Sequence, residues 1–254
     1  MNSENVKREL AKFNSSERAQ TNRWFFKTLK GQYGEFDKFI GVSASQIRVV
    51  AKNNQLIELS EIKKLFQSPI HEHRLTAAIL LTYQYDVKVS DKREIFDFYL
   101  EIVRNHTTVQ IAPDYKVEIQ KRTGVDAWDI VDSSAHKIVG QHLIGRNTSM
   151  LYELANNPNL WQNRVAMIST WWPIVKYDIF DDALKLAEIF LNHPHDLIQK
   201  ASGWMLREVG KKDDQVLRGF LDKHIGNLSR TTLRYAIERL PKKDRKSYLL
   251  AGKS

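Results

Sequence analysis

The chain has 254 residues, 42% hydrophobic and 10% aromatic, so it is long and apolar enough to fold around a substantial core. It contains no cysteine, which excludes disulfides, zinc–cysteine sites and thiol chemistry. The formal net charge is +9, and residues 200–254 alone hold 8 Lys and 6 Arg against 4 Asp and 2 Glu. Such a basic region favours a polyanionic partner, with a basic solvated helix surface as the alternative.

The N-terminal residues MNSENVKREL lack the apolar segment of a signal peptide. No run approaches the ~20 apolar residues of a membrane span. We therefore expect a cytoplasmic, monomeric protein with no membrane contact. The breaks between apolar segments are short and polar, which predicts a single domain over residues 1–254.

Helical periodicity dominates the chain. The segment SASQIRVVAK begins with Ser43 as a cap and places Ile47 and Val50 three residues apart. Four other stretches show a 3.6-residue period over the length of a helix: HEHRLTAAILLTYQY, KREIFDFYLEIVR, DDALKLAEIFL and DLIQKASGWMLREVGK. These patterns predict an all-α protein.

A weak repeat relates three of the predicted helices. Each has a proline, then a basic residue (Arg74, Arg164 or Lys200), then small residues in an apolar helix. HEAT-type repeats of ~40 residues stack into curved arrays that bind ligands on their concave face. Proline before a helix is common, so the repeat alone is weak support. The histidine pairs HEH and HPH near these prolines are expected at the surface, without a metal.

Residues 107–122, TTVQIAPDYKVEIQKR, break the helical pattern. Apolar residues alternate on both sides of a turn sequence, APDY, which predicts an inserted β-hairpin at about residues 108–120. Its cations are candidate DNA contacts: Lys116, Lys121 and Arg122. A structured loop with no function is the alternative interpretation.

Trp128 and Asp132 are four residues apart, so on a helix they would share one face. A functional carboxylate beside an indole is one interpretation. The other is that Asp132 caps the helix that begins in DSSAHKIVG, since Asp is a favoured N-cap residue. Taken alone, the residues favour the cap.

The segment DLIQKASGWMLREVGK carries two opposite stripes. The inner stripe is Ile198, Ser202, Met205 and Val209. The other, about 200° round the helix, is Lys200, Trp204, Arg207 and Lys211. A tryptophan among cations indicates a nucleic-acid contact, or else a tryptophan packed on a neighbouring helix. Arg164 is either a phosphate clamp or an ordinary surface arginine.

Five segments together resemble the AlkD-type family of HEAT-like DNA alkylation repair proteins: DKFIGVSASQIRVVAK, AWDIVDSS, WQNRVAMIST, LIQKASGWMLREVGK and RTTLRYAIERLP. The resemblance extends over roughly residues 23–248. It implies a C-shaped α-solenoid of HEAT-like repeats that cradles duplex DNA, with no cofactor and no metal. The positions that match the family's functional residues are Trp128, Asp132, Arg164, Trp204 and Arg207.

The family's glycosylases release cationic alkylpurines without extruding the base. The resemblance implies that Asp132 stabilises positive charge developing at the deoxyribose C1′, with Trp128 and Trp204 adding attraction through their ring faces. Arg164 and Arg207 would hold flanking phosphates.

Two features depart from the glycosylase pattern. Phe25 aligns with a position where those enzymes carry a tyrosine, and the predicted hairpin resembles that of a related branch associated with branched DNA. The favoured function is therefore binding of distorted or branched DNA with little or no glycosylase activity. The alternative is excision of N3- and N7-alkylpurines, and a third is a scaffold for protein partners.

Overall fold

The computed structural model describes residues 1–87, 91–105 and 122–251. These residues contain helices and no β-strand, which confirms the all-α prediction for them. None of the helices in these ranges is long and apolar enough to cross a membrane. The hairpin predicted at about residues 108–120 lies outside the described residues. The chain divides into two compact units, Met1–Ile138 and Val139–Ser254.

The first unit is built around one almost completely buried helix, α5. In the described residues its helices are α1 Ser3–Ala11, α2 Ser16–Phe25, α3 Ala44–Asn53, α4 Leu59–Phe66, α5 His71–Asp86, α6 Lys92–Asn105 and α7 Trp128–Ala135. Helix α5 packs against α3, α4, α6 and α7, and a helix so surrounded needs apolar or paired residues on every face. The cap expected at Ser43 is confirmed as a capping box with Gln46.

The second unit is organised in the same way around α12. Its helices in the described part of the chain are α8 Ser149–Ala155, α9 Leu160–Ser169, α10 Trp171–Tyr177, α11 Asp181–Ile189, α12 Asp196–Lys212, α13 Asp214–His224, α14 Arg230–Ala236 and α15 Lys242–Ala251. Helix α12 contacts α9, α10, α11, α13 and α14. A Cβ at Gly203 would lie 2.6 Å from the Thr232 carbonyl oxygen, so glycine permits the close approach of α14.

The repeated prolines mark the starts of three helices, as the sequence pattern predicts. Helices α5, α9 and α12 each begin two residues after Pro69, Pro158 or Pro194. The basic residue that follows is buried in two of these helices, at Arg74 and Arg164, and partly exposed only in α12. The repeated cation therefore serves helix packing in two of its three occurrences.

Candidate nucleic-acid interface

Helix α7 carries the first candidate pair, Trp128 and Asp132. The helix begins at Trp128, its N-cap residue is Ala127, and no side chain caps it. The interpretation of Asp132 as a helix cap is therefore wrong: it lies one turn inside the helix. Both side chains are partly exposed, and their spacing of four places them on one face.

The Trp128 indole lies in a group of aromatic rings. The Phe26 ring stacks on it, with centroids 5.3 Å apart and planes at 14°, and the Phe25 ring meets it edge-on at 5.8 Å. Trp128 also packs against a small core that includes Ala19 and Phe39. The structure therefore brings together Phe25 and Trp128, which the family resemblance places near each other in function. The Phe25 ring is exposed and has no hydroxyl to donate.

A buried ionic cluster connects α5 to the start of α7. The His71 imidazole lies between two carboxylates, with Nδ1 2.8 Å from Asp37 and Nε2 2.9 Å from Asp129. The Arg74 guanidinium donates to Asp37 at 2.8 Å and to Asp126 at 3.0 Å. The side chains of Asp37, His71, Arg74 and Asp126 are almost completely buried. Because Asp126 and Asp129 flank Trp128, the cluster fixes the backbone from which the indole projects.

The cluster keeps His71 protonated. Burial alone would lower its pKa, but the carboxylates of Asp129 and Asp37 raise that pKa to about 10. Burial would likewise raise the pKa of Asp37, but Arg74 and His71 hold it well below its usual range. The imidazolium is thus a permanent cation at neutral pH, and it holds both carboxylates by charge-assisted hydrogen bonds.

We expect a loss of stability at alkaline pH from His71. Its pKa in the folded chain, about 10, exceeds the unfolded value of 6.5. The stabilisation is therefore fully present below pH 6.5 and disappears as the pH rises through 10. Histidine NMR titration of the wild-type protein should find the His71 imidazole still protonated at pH 8. Titration of that ring near pH 6.5 would contradict the ion-pair assignment.

The expectation that the HEH histidines lie at the surface is wrong. His71 and His73 are both buried, because α5 is covered on all sides and a spacing of two residues puts neither ring in water. The glutamate between them is also buried, and its carboxylate accepts hydrogen bonds from the backbone N–H groups of Ile40, Gly41 and Val42. Residues 71–73 therefore belong to the packing of α5 and not to its solvent-exposed surface.

Of the three cations in the hairpin segment that are predicted to contact DNA, the structure describes only Arg122. Arg122 is buried, lies 3.5 Å from the Asp126 carboxylate and donates to the Tyr33 carbonyl oxygen. Its guanidinium extends the buried ionic cluster, so this position gives the predicted DNA contact no support, and that contact stays a prediction. Lys116 and Lys121 lie outside the described residues.

Helix α12 has the two faces that the sequence predicts. The inner stripe of Ile198, Ser202, Met205 and Val209 is buried. The side chains of the other stripe are partly or fully exposed: Lys200, Trp204, Arg207 and Lys211. Trp204 is thus neither sealed in the core nor fully in water, which leaves part of its ring accessible to a ligand.

The exposed stripe of α12 is paired with carboxylates. Helical spacing did not predict all of these partners, because not all of them lie on α12. The buried Glu208 carboxylate accepts from Trp204 Nε1 at 3.0 Å and from Lys211 Nζ at 2.7 Å. Arg207 pairs with Glu238, two residues beyond the end of α14, and Lys200 pairs with Asp196 at 2.7 Å. Phosphates would therefore have to compete with carboxylates for these cations. Glu208 also orients the indole, a role that the sequence pattern did not predict.

Arg164 of α9 is buried, and its guanidinium donates to the backbone carbonyl of Leu197 in α12. The interpretation as an ordinary surface arginine is wrong. In this position the side chain ties α9 to the start of α12. The phosphate contact implied by the family resemblance stays a prediction, and this contact gives it no support.

An arginine-lined cleft lies at α14 and α15. It has a volume of about 350 Å³ and its lining includes Arg230, Arg234 and Arg245, with Glu238 as its acid. Because Glu238 already pairs with Arg207, the cleft is strongly cationic. The sequence indicated it only through the motif RTTLRYAIERLP and the excess of charge in residues 200–254, without singling out these arginines.

The described residues define a protein that is helical over those ranges and that presents, in each unit, a partly exposed tryptophan on a helix that also carries acidic side chains. The family model described as DNA alkylation repair enzyme matches residues 6–240. Because that match extends over nearly the whole sequence, the chain belongs to the DNA alkylation repair family.

A solved structure has a similar fold. A protein described as "Predicted DNA alkylation repair enzyme from Enterococcus faecalis" is similar with a TM-score of 0.64 and 20% sequence identity. The alignment covers 90% of this chain and 97% of that chain. At this identity the similarity shows a shared fold. No curated protein matches the sequence.

Proposed function

We propose that the chain binds distorted or branched DNA through its sugar-phosphate backbone, in a basic groove of stacked helical repeats, with little or no glycosylase activity. Membership of the DNA alkylation repair family supports DNA as the partner. The observation that carries the proposal is the pairing of a partly exposed Trp128 with Phe25, beside a helix face that bears Asp132. This pair can stack on a sugar or base but offers no hydroxyl.

Charge supports the same partner. Residues 200–254 carry an excess of eight positive charges, and the cleft at α14 and α15 concentrates three arginines. Phosphate contacts fix the position and register of DNA without reading its sequence, so little sequence preference is expected. The hairpin predicted at about residues 108–120 lies outside the described residues, and its proposed role is to enter a junction or a minor groove.

Parallel titration tests this proposal. Linear, nicked and three-way-junction DNA of equal length would be titrated at equal salt, with release of methylated bases assayed in the same tubes. We expect tighter binding to the junction than to the linear duplex and no base release. Deletion of residues 109–119 should weaken junction binding selectively. Equal affinity for all three DNAs would contradict the proposal.

Excision of alkylpurines is the second candidate, favoured by the location of Asp132 inside α7 and not at its cap. In a cationic N7-alkylpurine the bond from the base to C1′ breaks readily, and the base leaves neutral. The Asp132 carboxylate would stabilise the positive charge that develops at C1′ and orient the water whose oxygen bonds to that carbon. The proton released by this water would pass to the carboxylate or to solvent.

Release of N7-methylguanine from methylated DNA distinguishes the two functions. A glycosylase would release the base in the wild-type protein and lose that activity in Asp132→Asn, which keeps the shape of the side chain but removes its charge. The variant should bind DNA as well as the wild type does. No release at high protein concentration would exclude the excision function.

A further inference from the structure

The loop of residues 26–37, between α2 and α3, is closed by a backbone hydrogen bond and anchored at its end by Asp37. The Gly34 N–H donates to the Lys27 carbonyl at 3.0 Å, and a Cβ at Gly34 would lie only 2.0 Å from the Phe26 carbonyl oxygen. Asp37, at the end of the loop, belongs to the buried ionic cluster. The loop therefore begins at the aromatic group around Trp128 and ends at the buried ionic cluster, which fixes the position of the Trp128 indole.

This loop and the helix end before it expose large apolar side chains. Trp24 is 81% exposed, Leu29 is 70% exposed and Phe36 is 47% exposed. A Cβ at Gly31 would meet no atom within 4 Å, so the tip of the loop stands in open space. Several large apolar side chains exposed in one short segment are characteristic of an interaction surface. We refer to Trp24, Leu29 and Phe36 as the apolar edge.

Part of the apolar edge is held in an unfavourable backbone conformation. Phe36 has φ of +68° and Lys27 has φ of +52°, values that L-residues with a Cβ adopt at a cost. Half of the Phe36 side chain is in water, so burial of its ring offsets little of this cost. Backbone strain held in place by surrounding structure occurs preferentially at functional sites. An aromatic ring that is half exposed on a strained backbone adds little to stability, which indicates a role in binding.

The charges around the apolar edge identify its partner. Arg23, Lys27, Lys30 and Lys38 are exposed, whereas Asp37 is buried in ion pairs. Glu35 is partly buried and accepts a hydrogen bond from the Gly31 N–H at 2.6 Å. Apolar side chains among cations suit nucleic acid, because the cations contact phosphates and the rings contact bases or sugars. An apolar protein surface would not require the surrounding positive charge.

We infer that the apolar edge inserts against the bases of DNA beside the Trp128 face, as a wedge at an unstacked step. This inference rests on the proposed DNA-binding function. Separating two stacked bases is costly in an intact duplex and costs less at a nick, a mismatch or a junction. The wedge therefore gives a reason for preferring distorted DNA that is independent of the predicted hairpin.

Three substitutions, one at each residue of the apolar edge, test the wedge. Phe36→Gly removes the ring and accepts the positive φ without strain, so it should raise the melting temperature while lowering the affinity for nicked DNA about tenfold. Trp24→Ala should have a similar effect on affinity. Leu29→Ala should weaken binding less, and its matched control is Leu56→Ala, since Leu56 is 76% exposed in the same unit and lies in the connection between α3 and α4.

The readouts are affinity for nicked and for linear DNA, and the fluorescence of a 2-aminopurine placed beside the nick. We expect binding of the wild-type protein to unstack and brighten the probe, and the Phe36→Gly protein to bind with less brightening. Wild-type affinity and fluorescence in all three variants of the apolar edge would overturn the wedge and leave the proposed function intact. Failure of the wild-type protein to bind any DNA would overturn both.

Discussion

Replacing Arg74 with methionine is expected to lower the free energy of unfolding by about 3–5 kcal/mol. The Arg74 guanidinium is completely buried and donates to both Asp37 and Asp126, which are themselves buried. Methionine fills a similar length but leaves two carboxylates without their main counter-charge. Removal of one member of a buried ionic group is costly because the remaining charges stay desolvated.

Urea denaturation at pH 7 measures this change. The control is Arg93→Met, because Arg93 forms an exposed pair with Asp97 one helical turn away and such pairs contribute about 0.3–0.5 kcal/mol. An Arg74→Met protein no less stable than the Arg93→Met protein would show that the cluster does not hold the first unit together.

DNA affinity is expected to fall by at least about 100-fold when monovalent salt rises from 50 to 200 mM. The reason is that cations which contact phosphates release the counterions condensed on DNA, and this release becomes less favourable as salt increases. The excess of positive charge in residues 200–254 makes the second unit the main source of such contacts.

The slope of log affinity against log salt provides a finer test of the arginine-lined cleft. Each phosphate contact contributes about 0.9 to the slope for duplex DNA, so Arg234→Ala and Arg245→Ala should each reduce it by roughly that amount. Lys223→Ala is the control, because Lys223 pairs with Glu188 on another helix and is not part of the cleft lining. A salt-independent affinity would instead favour a scaffold for protein partners.

Sequence patterns within one helix predicted its faces well. The inner stripe of α12 is buried because residues at offsets of 0, 4, 7 and 11 must share a side, whatever packs against it. The same geometry placed Trp128 and Asp132 on one face of α7. The weak repeat, with its prolines, also marked where α5, α9 and α12 begin.

Partners that come from distant parts of the chain were not predictable in this way. His71 lies between Asp37 and Asp129, which are 34 and 58 residues away, and no spacing rule links them. The burial of Arg122 and Arg164 has the same cause, since a cation's environment depends on which helix covers it. The left-handed conformation of Phe36 was also hidden, because a phenylalanine gives no signal of positive φ.

Tryptophan fluorine NMR is the most direct test of the central claim that both tryptophan faces contact DNA. The chain has 6 tryptophans, and 5-fluorotryptophan labelling with single Trp→Phe variants would assign their resonances. The account predicts that DNA shifts the resonances of Trp128 and Trp204 and leaves that of the buried Trp161 unchanged. Saturated DNA binding with the Trp128 and Trp204 resonances unmoved would contradict it.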